Sequence, residues 1–200
     1  MEHVDYVYQV LTQPDAEPTL LHATVGQKQK DLKYQMLPHV RPGGLLGLME
    51  MLPLQGDSDL YRLSEDLLLE VDDLFPILEA GSLLGFLRVT KGEVAVTQEG
   101  RRFVNADILT QKEIFRDSVL AHVVLIDQIR RALAAKPNQE VSAEFFGDVL
   151  EEHFTEAEVQ RQLDTAVTWG RYAELFDYDA ARKRFIVHAP EPVDARPVSS

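Results

Sequence analysis

The hydrophobic period changes at Leu87, and this change constrains the fold more than any other feature of the chain. Upstream, three segments carry apolar residues at helical spacing. Downstream, residues Leu87–Thr97 alternate between apolar and polar, and the pair Lys91–Gly92 divides them, which predicts a β-hairpin. The three helical segments are Gly44–Leu52, Asp57–Leu67 and Glu70–Phe86. Three helices followed by a hairpin is the order of a winged helix-turn-helix unit.

A long amphipathic segment follows the hairpin. The sequence TQKE at Thr110–Glu113 has the form of a capping box, in which threonine and glutamate satisfy exposed backbone donors at a helix start. Pro137 and Asn138 end the pattern. Between them, apolar residues recur at steps of three and four, namely Phe115, Val119, Val123, Ile126, Ile129 and Leu133. We therefore predict one long central helix within residues 107–137.

The order of helices and strands then recurs. Residues Val141–Phe154 have a helical pattern with Ser142 as the expected cap, and TEAE at Thr155–Glu158 is a second capping box. Segments Ala173–Asp179 and Lys183–His188 flank a polar turn, which predicts two strands. We interpret this region as a second winged-helix-like unit.

Together these patterns predict a mainly α chain with small β-hairpins, an α+β fold with two winged-helix-like units joined by a long central helix. The expected divisions are an N-terminal helix and linker (1–36), a first unit (37–106), a central helix (107–137), a second unit (138–189) and a disordered tail rich in proline and serine (190–200).

The charge of the chain disfavours nucleic acid as a partner. The formal net charge is -13, and an acidic body repels phosphate. The predicted third helix of each unit presents acidic residues such as Asp72, Asp73 and Glu156, whereas a helix that reads DNA needs Arg, Lys, Asn or Gln. Lys91 and Lys183–Arg184, at the hairpin tips, are the wing-like basic elements. DNA binding is therefore disfavoured.

The sequence also carries no motif for catalysis. It has neither a phosphate-binding GxxxxGK[ST] loop nor a GxGxxG fingerprint, and its six histidines are not spaced as metal ligands. We expect a chain that is not an enzyme and that binds no cofactor or metal. No apolar run is long enough for membrane insertion and no secretory signal is present, so with no cysteine we expect a cytoplasmic location.

Two segments are candidates for interaction. The stretch TWGRYAELFDYD places Trp169, Arg171, Tyr172 and Phe176 close together. It is either a ligand pocket or a packed hinge between a helix and a strand, and the hinge is favoured because these aromatic residues have many core neighbours to meet. Near the N-terminus a short amphipathic helix is predicted, and a short helix needs a partner to be stable. Its apolar face consists of Val4, Val7, Tyr8 and Leu11.

The stretch Trp169–Asp179, WGRYAELFDYD, is similar to a signature of the C-terminal AAA-associated domain. Proteins with that domain include ATP-binding subunits of ABC transporters of the nitrate/sulfonate/taurine type. Other segments agree in order and spacing, among them GLLGLMEML, DLYRLSEDLLLEVDDLFPILEAGSLLGF and VTQEGRRFVNADILTQKEIF, so the resemblance covers roughly residues 37–188. Two departures stand out: the usual ATPase domain is absent from this chain, and Val124 replaces a frequent proline, which predicts a straighter central helix.

The resemblance implies a non-enzymatic accessory or regulatory module that acts through protein–protein contacts with an ABC transporter ATPase subunit, or with a second copy of itself as a homodimer. Two alternatives stay open. One is a winged-helix transcription regulator that binds DNA, and the other is a small-molecule sensor with a pocket near Trp169, Tyr172 and Phe176.

Overall fold

A computed structural model of the chain describes residues 35–187. The predicted N-terminal helix and the predicted tail lie outside these described residues. Within the described range the chain forms eight helices and six short strands. The mainly α, α+β class is therefore confirmed.

The first unit combines three helices with a small antiparallel sheet. Its elements are α1 (Pro42–Met51), β1 (Asp57–Asp59), α2 (Leu60–Leu67), α3 (Val71–Leu83), β2 (Leu87–Thr90) and β3 (Glu93–Val96). The strands pair in the order β1-β3-β2. The predicted hairpin is confirmed: Lys91 and Gly92 have φ angles of 51° and 82°, as the tight turn between twisted strands requires. Strand β1 lies where the sequence predicted the beginning of a helix, because Asp57 pairs with Ala95 across the sheet.

Three helices follow the hairpin: α4 (Gln98–Asn105), α5 (Ile108–His122) and α6 (Val124–Ala135). The predicted single central helix is wrong, because Val123 has an extended backbone at φ −111° and ψ 98° and divides the segment. The predicted capping box is also displaced. Asp107 caps α5 by accepting from the backbone N–H groups of Leu109 and Thr110.

The break at Val123 has a packing reason. Helix α5 packs on α4, whereas α6 packs on strands β4 and β6 of the next unit. A straight helix presents one apolar stripe, so it cannot direct both halves of its buried surface to these different neighbours. The break at Val123 occurs although the next residue is Val124 and not the proline frequent in the family, so the predicted straight helix does not form.

The second unit repeats the order of the first. It consists of α6, β4 (Glu140–Ser142), α7 (Ala143–Glu151), α8 (Glu156–Tyr172), β5 (Asp177–Asp179) and β6 (Arg184–Ile186). Its strands pair in the order β4-β6-β5, which matches β1-β3-β2. Helix α6, predicted as part of the connection, thus occupies the place that α1 has in the first unit.

The two units share a helix-ending motif. In α3 the N–H of Phe86 donates to the Gly81 carbonyl at 2.8 Å, and in α8 the N–H of Leu175 donates to the Gly170 carbonyl at 2.9 Å. Each closing bond spans five residues, and a residue with positive φ precedes its donor. Gly81 and Gly170 both lie where the following strand crosses, and a Cβ at Gly170 would overlap the ring of Phe176.

A row of aromatic rings joins the units. Phe86 stacks on Phe103 with centroids 4.6 Å apart, and Phe103 lies 6.3 Å from Phe115. Phe115 then meets Trp169 of α8 edge to face at 5.9 Å. These rings belong to one continuous buried cluster of apolar residues, so the described part of the chain has a shared core.

Candidate functional site

Trp169 is the centre of the predicted aromatic site, and it is buried with 1% of its surface exposed. Its indole Nε1 donates to the carbonyl of Val40 at 2.7 Å. The ring packs against Phe115, which belongs to α5. Trp169 therefore fills a three-way junction between α8, α5 and the chain before α1.

Tyr172 and Phe176 face different neighbours. Tyr172 is half-buried, and its ring packs edge to face with Phe115, with the ring centroids 4.8 Å apart. Burial raises the pKa of the Tyr172 hydroxyl, and the positive charge of Lys112 opposes this rise. Phe176 is buried against Phe185 of β6 at 5.4 Å. Both side chains pack against core rings, and the arrangement is that of a packed hinge.

Arg171 points away from this cluster. It pairs with the carboxylate of Asp177 and donates to the Tyr178 carbonyl at 2.8 Å, so it holds the turn between α8 and β5. A partner-contacting role for the four predicted residues stays a prediction. The other four candidates, Val4, Val7, Tyr8 and Leu11, lie outside the described residues.

The structure brings together a second group that the sequence did not indicate. Residues Gln35–Arg41, which we name the strap, cross α8 before the chain enters α1. Gln162 on α8 is completely buried, and its side chain accepts from the Leu37 N–H at 2.7 Å and donates to the Leu37 carbonyl at 3.1 Å. One amide side chain thus replaces the partner strand that an extended residue would otherwise need.

His39 extends this contact along α8. Its Nε2 lies 2.9 Å from a Glu158 carboxylate oxygen, and its Nδ1 lies 3.0 Å from the Thr165 hydroxyl. Gln162 donates to the same Glu158 oxygen at 2.7 Å, and Arg161 donates to the other at 2.6 Å. The strap is therefore held by a connected polar network.

The charge of Glu158 is stabilised by this network. Burial alone would raise the pKa of its carboxyl, but the hydrogen bond from Gln162, the charge and hydrogen bond of His39 and the charge of Arg161 together outweigh it. The pKa of Glu158 is therefore lowered. The carboxylate is available as an acceptor at neutral pH.

The sequence indicates the α8 half of this site but not the strap. Glu158, Gln162, Thr165 and Trp169 follow the spacing i, i+4, i+7 and i+11, which places them on one face of a helix. From the sequence, Glu158 was interpreted as a capping-box residue and as part of an outward acidic face. Thr155 does cap α8, but Glu158 is buried and its side chain turns to the strap, so the outward placement is wrong. The strap itself lies about 120 residues away in sequence, so no local pattern could reveal the pairing.

A set of ionic contacts joins α5 to the end of α8. Lys112 lies 2.6 Å from one Glu174 carboxylate oxygen, and Arg116 lies 3.5 Å from the other. Arg116 also donates through Nε to the Ala173 carbonyl at 2.7 Å, which caps the helix C-terminus. Helix α5 is thus tied to the C-terminal end of α8.

Among residues 35–187 no group of three or more potential metal ligands comes together. No helix in that range is both long enough and apolar enough to cross a bilayer. A small cleft between α6 and α7, beside Gln35, Leu125 and Phe146, has room for about one water molecule.

A scan against family models matches residues 61–179 to the C-terminal AAA-associated domain. The match covers more than half of the chain and includes α3 to α8 in full. The chain belongs to this family. Searches of the curated proteins and of the solved structures gave no significant match.

Membership in the AAA-associated family makes the chain an accessory module linked to ATPases, and the family domain is not itself a catalytic one. The matched span contains the whole strap-binding face of α8, from Glu158 to Trp169. The strap and α1 precede the matched span. The contact between them therefore joins the AAA-associated domain to the part of the chain in front of it.

Proposed function

We propose that this chain is a non-enzymatic accessory or regulatory module of an ABC-type importer ATPase of the nitrate/sulfonate/taurine kind, and that it acts through protein–protein contacts. Its two units are winged-helix-like, and it works on the cytoplasmic side of the membrane, where it meets the ATPase subunit. The observation that carries this proposal is the family match over α3 to α8.

The electrostatics of the third helices support a protein partner over DNA. Helix α3 carries the exposed Asp72 and Asp73 in its first turn, and α8 begins with the exposed Glu156. Acidic residues at helix N-termini stabilise the helix but repel phosphate at the end that a DNA-reading helix would insert. These helices therefore suit contacts with proteins.

Exposed apolar side chains offer contact surfaces. Tyr61 and Leu68 lie seven residues apart on α2 and at its end, and Leu68 is 92% exposed. Ile108 and Leu109 at the start of α5 are each more than two-thirds exposed. Apolar anchors of this kind dominate the binding energy of protein interfaces.

Binding to a purified ATPase subunit of this transporter class tests the proposal. The dissociation constant and the rate of ATP hydrolysis would be measured with the full chain and without it. We expect the pair Tyr61→Ala and Leu68→Ala to weaken binding at least about tenfold, because exposed apolar anchors carry most of the affinity. The pair Ile108→Ala and Leu109→Ala removes a similar exposed apolar area from the second contact surface, so comparing the two pairs shows which surface binds the ATPase.

If the wild-type chain does not bind the ATPase and forms a stable homodimer instead, the ATPase assignment is wrong. A mobility-shift assay provides the second check. Retardation of duplex DNA at low salt that is abolished by changing Lys91, or Lys183 and Arg184, would favour the transcription-regulator alternative.

A further inference from the structure

The strap holds an unusual position in the chain. It leads directly into α1 of the first unit, yet its hydrogen bonds go to α8 of the second unit, 125 residues further along at the Leu37–Gln162 pair. Any displacement of the chain in front of Leu37 must therefore act on α8 as well as on α1.

The attachment is specific as well as long-range. Gln162 binds both backbone groups of Leu37, His39 binds Glu158 and Thr165, and Trp169 binds the Val40 carbonyl. Leu37 itself is buried. Three residues of the strap are thus fixed to a single face of α8, so the strap and the helix move as one body while these bonds persist.

The face that holds the strap also leads to the core between the units. Trp169 lies at the end of the polar stripe and touches Phe115 of α5. Phe115 continues through Phe103 to Phe86 in the first unit. A shift of the strap is therefore transmitted to a row of close-packed rings, which deform little.

The network has features of a contact that can be released. His39 lies at the surface, where water can compete for its contacts with Glu158 and Thr165.

We propose that the strap is a coupling device, through which an ATPase subunit bound to this chain acts on α8 and the junction around Trp169. The ATPase part rests on the proposed function. The attachment of the strap to α8 does not depend on the proposed function, so the attachment and the effect on the ATPase can be tested separately.

Hydrogen exchange of the full chain, followed by mass spectrometry, tests the attachment. We expect Gln162→Ala to speed amide exchange in residues 36–41 at least about tenfold, because the Leu37 N–H loses its acceptor and the strap opens locally. Gln160→Ala is the matched control, since Gln160 is an exposed glutamine on the same helix that bonds to Asp164 instead. That variant should leave exchange in the strap unchanged.

His39→Ala provides a second variant that leaves the core intact. We expect it to speed strap exchange by about threefold, because the strap keeps its other bonds to α8. If the strap exchanges at the wild-type rate in both His39→Ala and Gln162→Ala, the proposed attachment is wrong.

A reversible crosslink tests the coupling itself. The chain has no cysteine, and His39 Nδ1 lies 3.0 Å from Thr165 Oγ1, so His39→Cys combined with Thr165→Cys places two thiols at this contact. We expect the reduced variant to bind the ATPase but to lose at least about half of its effect on ATP hydrolysis, and the oxidised variant to recover it.

If the oxidised and reduced variants bind the ATPase equally and change its rate of ATP hydrolysis equally, the proposed coupling through the strap is wrong. A wild-type chain that fails to bind the ATPase would overturn the proposed function and with it the ATPase part of the coupling. The exchange experiment would still decide whether the strap is attached as described.

Discussion

The two units have the same order of elements and the same helix ending, but the buried faces of their third helices differ. The buried residues of α3 are Leu74, Leu78, Ala80 and Gly81, all without polar side chains. Those of α8 include Glu158, Gln162 and Thr165, which bind the strap. A repeated topology therefore carries an apolar interface in one copy and a polar one in the other.

The two buried faces differ in how strictly they depend on the geometry of their partners. Apolar burial stabilises α3 without depending on one partner geometry. The polar face of α8 is stable only when its donors and acceptors meet their partners, since buried polar groups are costly when unpaired. The second unit is thus the one that can sense whether the strap is in place.

The largest expected effect compares the two helix-ending glycines. Gly170→Ala should lower the free energy of unfolding by about 3 kcal/mol, because the new methyl group overlaps the ring of Phe176, which is itself buried against Phe185. Gly81→Ala should cost less, about 2 kcal/mol, because the buried Leu87 side chain that it overlaps can change rotamer more easily than a ring can move, and alanine favours the helix. Urea denaturation measures both, and an equal or larger cost at Gly81 would contradict the comparison.

Gln162→Leu is the next largest change. It should destabilise the chain by about 2 kcal/mol, because the N–H and C=O of Leu37 lose their partners while the volume of the side chain at position 162 stays similar. Gln160→Leu, on the exposed side of α8, should change stability by less than about 0.5 kcal/mol. Thermal melts of the two variants measure this difference. Similar melting temperatures would show that the hydrogen bonds between Gln162 and Leu37 do not contribute to stability.

Glu158→Gln should alter how stability depends on pH. Because the pKa of Glu158 is lower in the folded chain, its stabilisation is present above its ordinary value of 4.5 and is lost as the pH falls through the folded pKa. The variant should be about 1 kcal/mol less stable at neutral pH, and this deficit should shrink between about pH 5 and pH 3. Urea titrations across this range measure it, and a deficit that stays constant would exclude the carboxylate as its source.

The smallest effect concerns the ionic contacts between α5 and the end of α8. Lys112→Ala should cost less than about 0.5 kcal/mol and the cost should vanish at high salt, since its pair with Glu174 is partly exposed. Arg116→Ala should cost about 1 kcal/mol at any salt concentration, because it also removes the hydrogen bond to the Ala173 carbonyl. Unfolding curves at low and high salt distinguish these cases, and equal salt sensitivity would count against them.

Local patterns predicted much of the fold and little of the candidate site. The hairpin at Leu87–Thr97 was predicted correctly because alternation and the Lys91–Gly92 turn are local signals. The single long helix was predicted wrongly, because the break at Val123 depends on which elements the flanking helices pack against. The short strands β1 and β4 were missed for the same reason, since each exists only through pairing with a strand distant in sequence.

The sequence by itself determined the class of the fold, the two hairpins, the cap of α8 at Thr155 and the family, because periodicity, turn residues and caps act over a few positions. Only the tertiary structure decided that Gln162 and Glu158 hold the strap and that Trp169 bridges the units. These contacts join residues more than one hundred positions apart. Their geometry depends on the packing of the whole described core, which no short stretch of sequence contains.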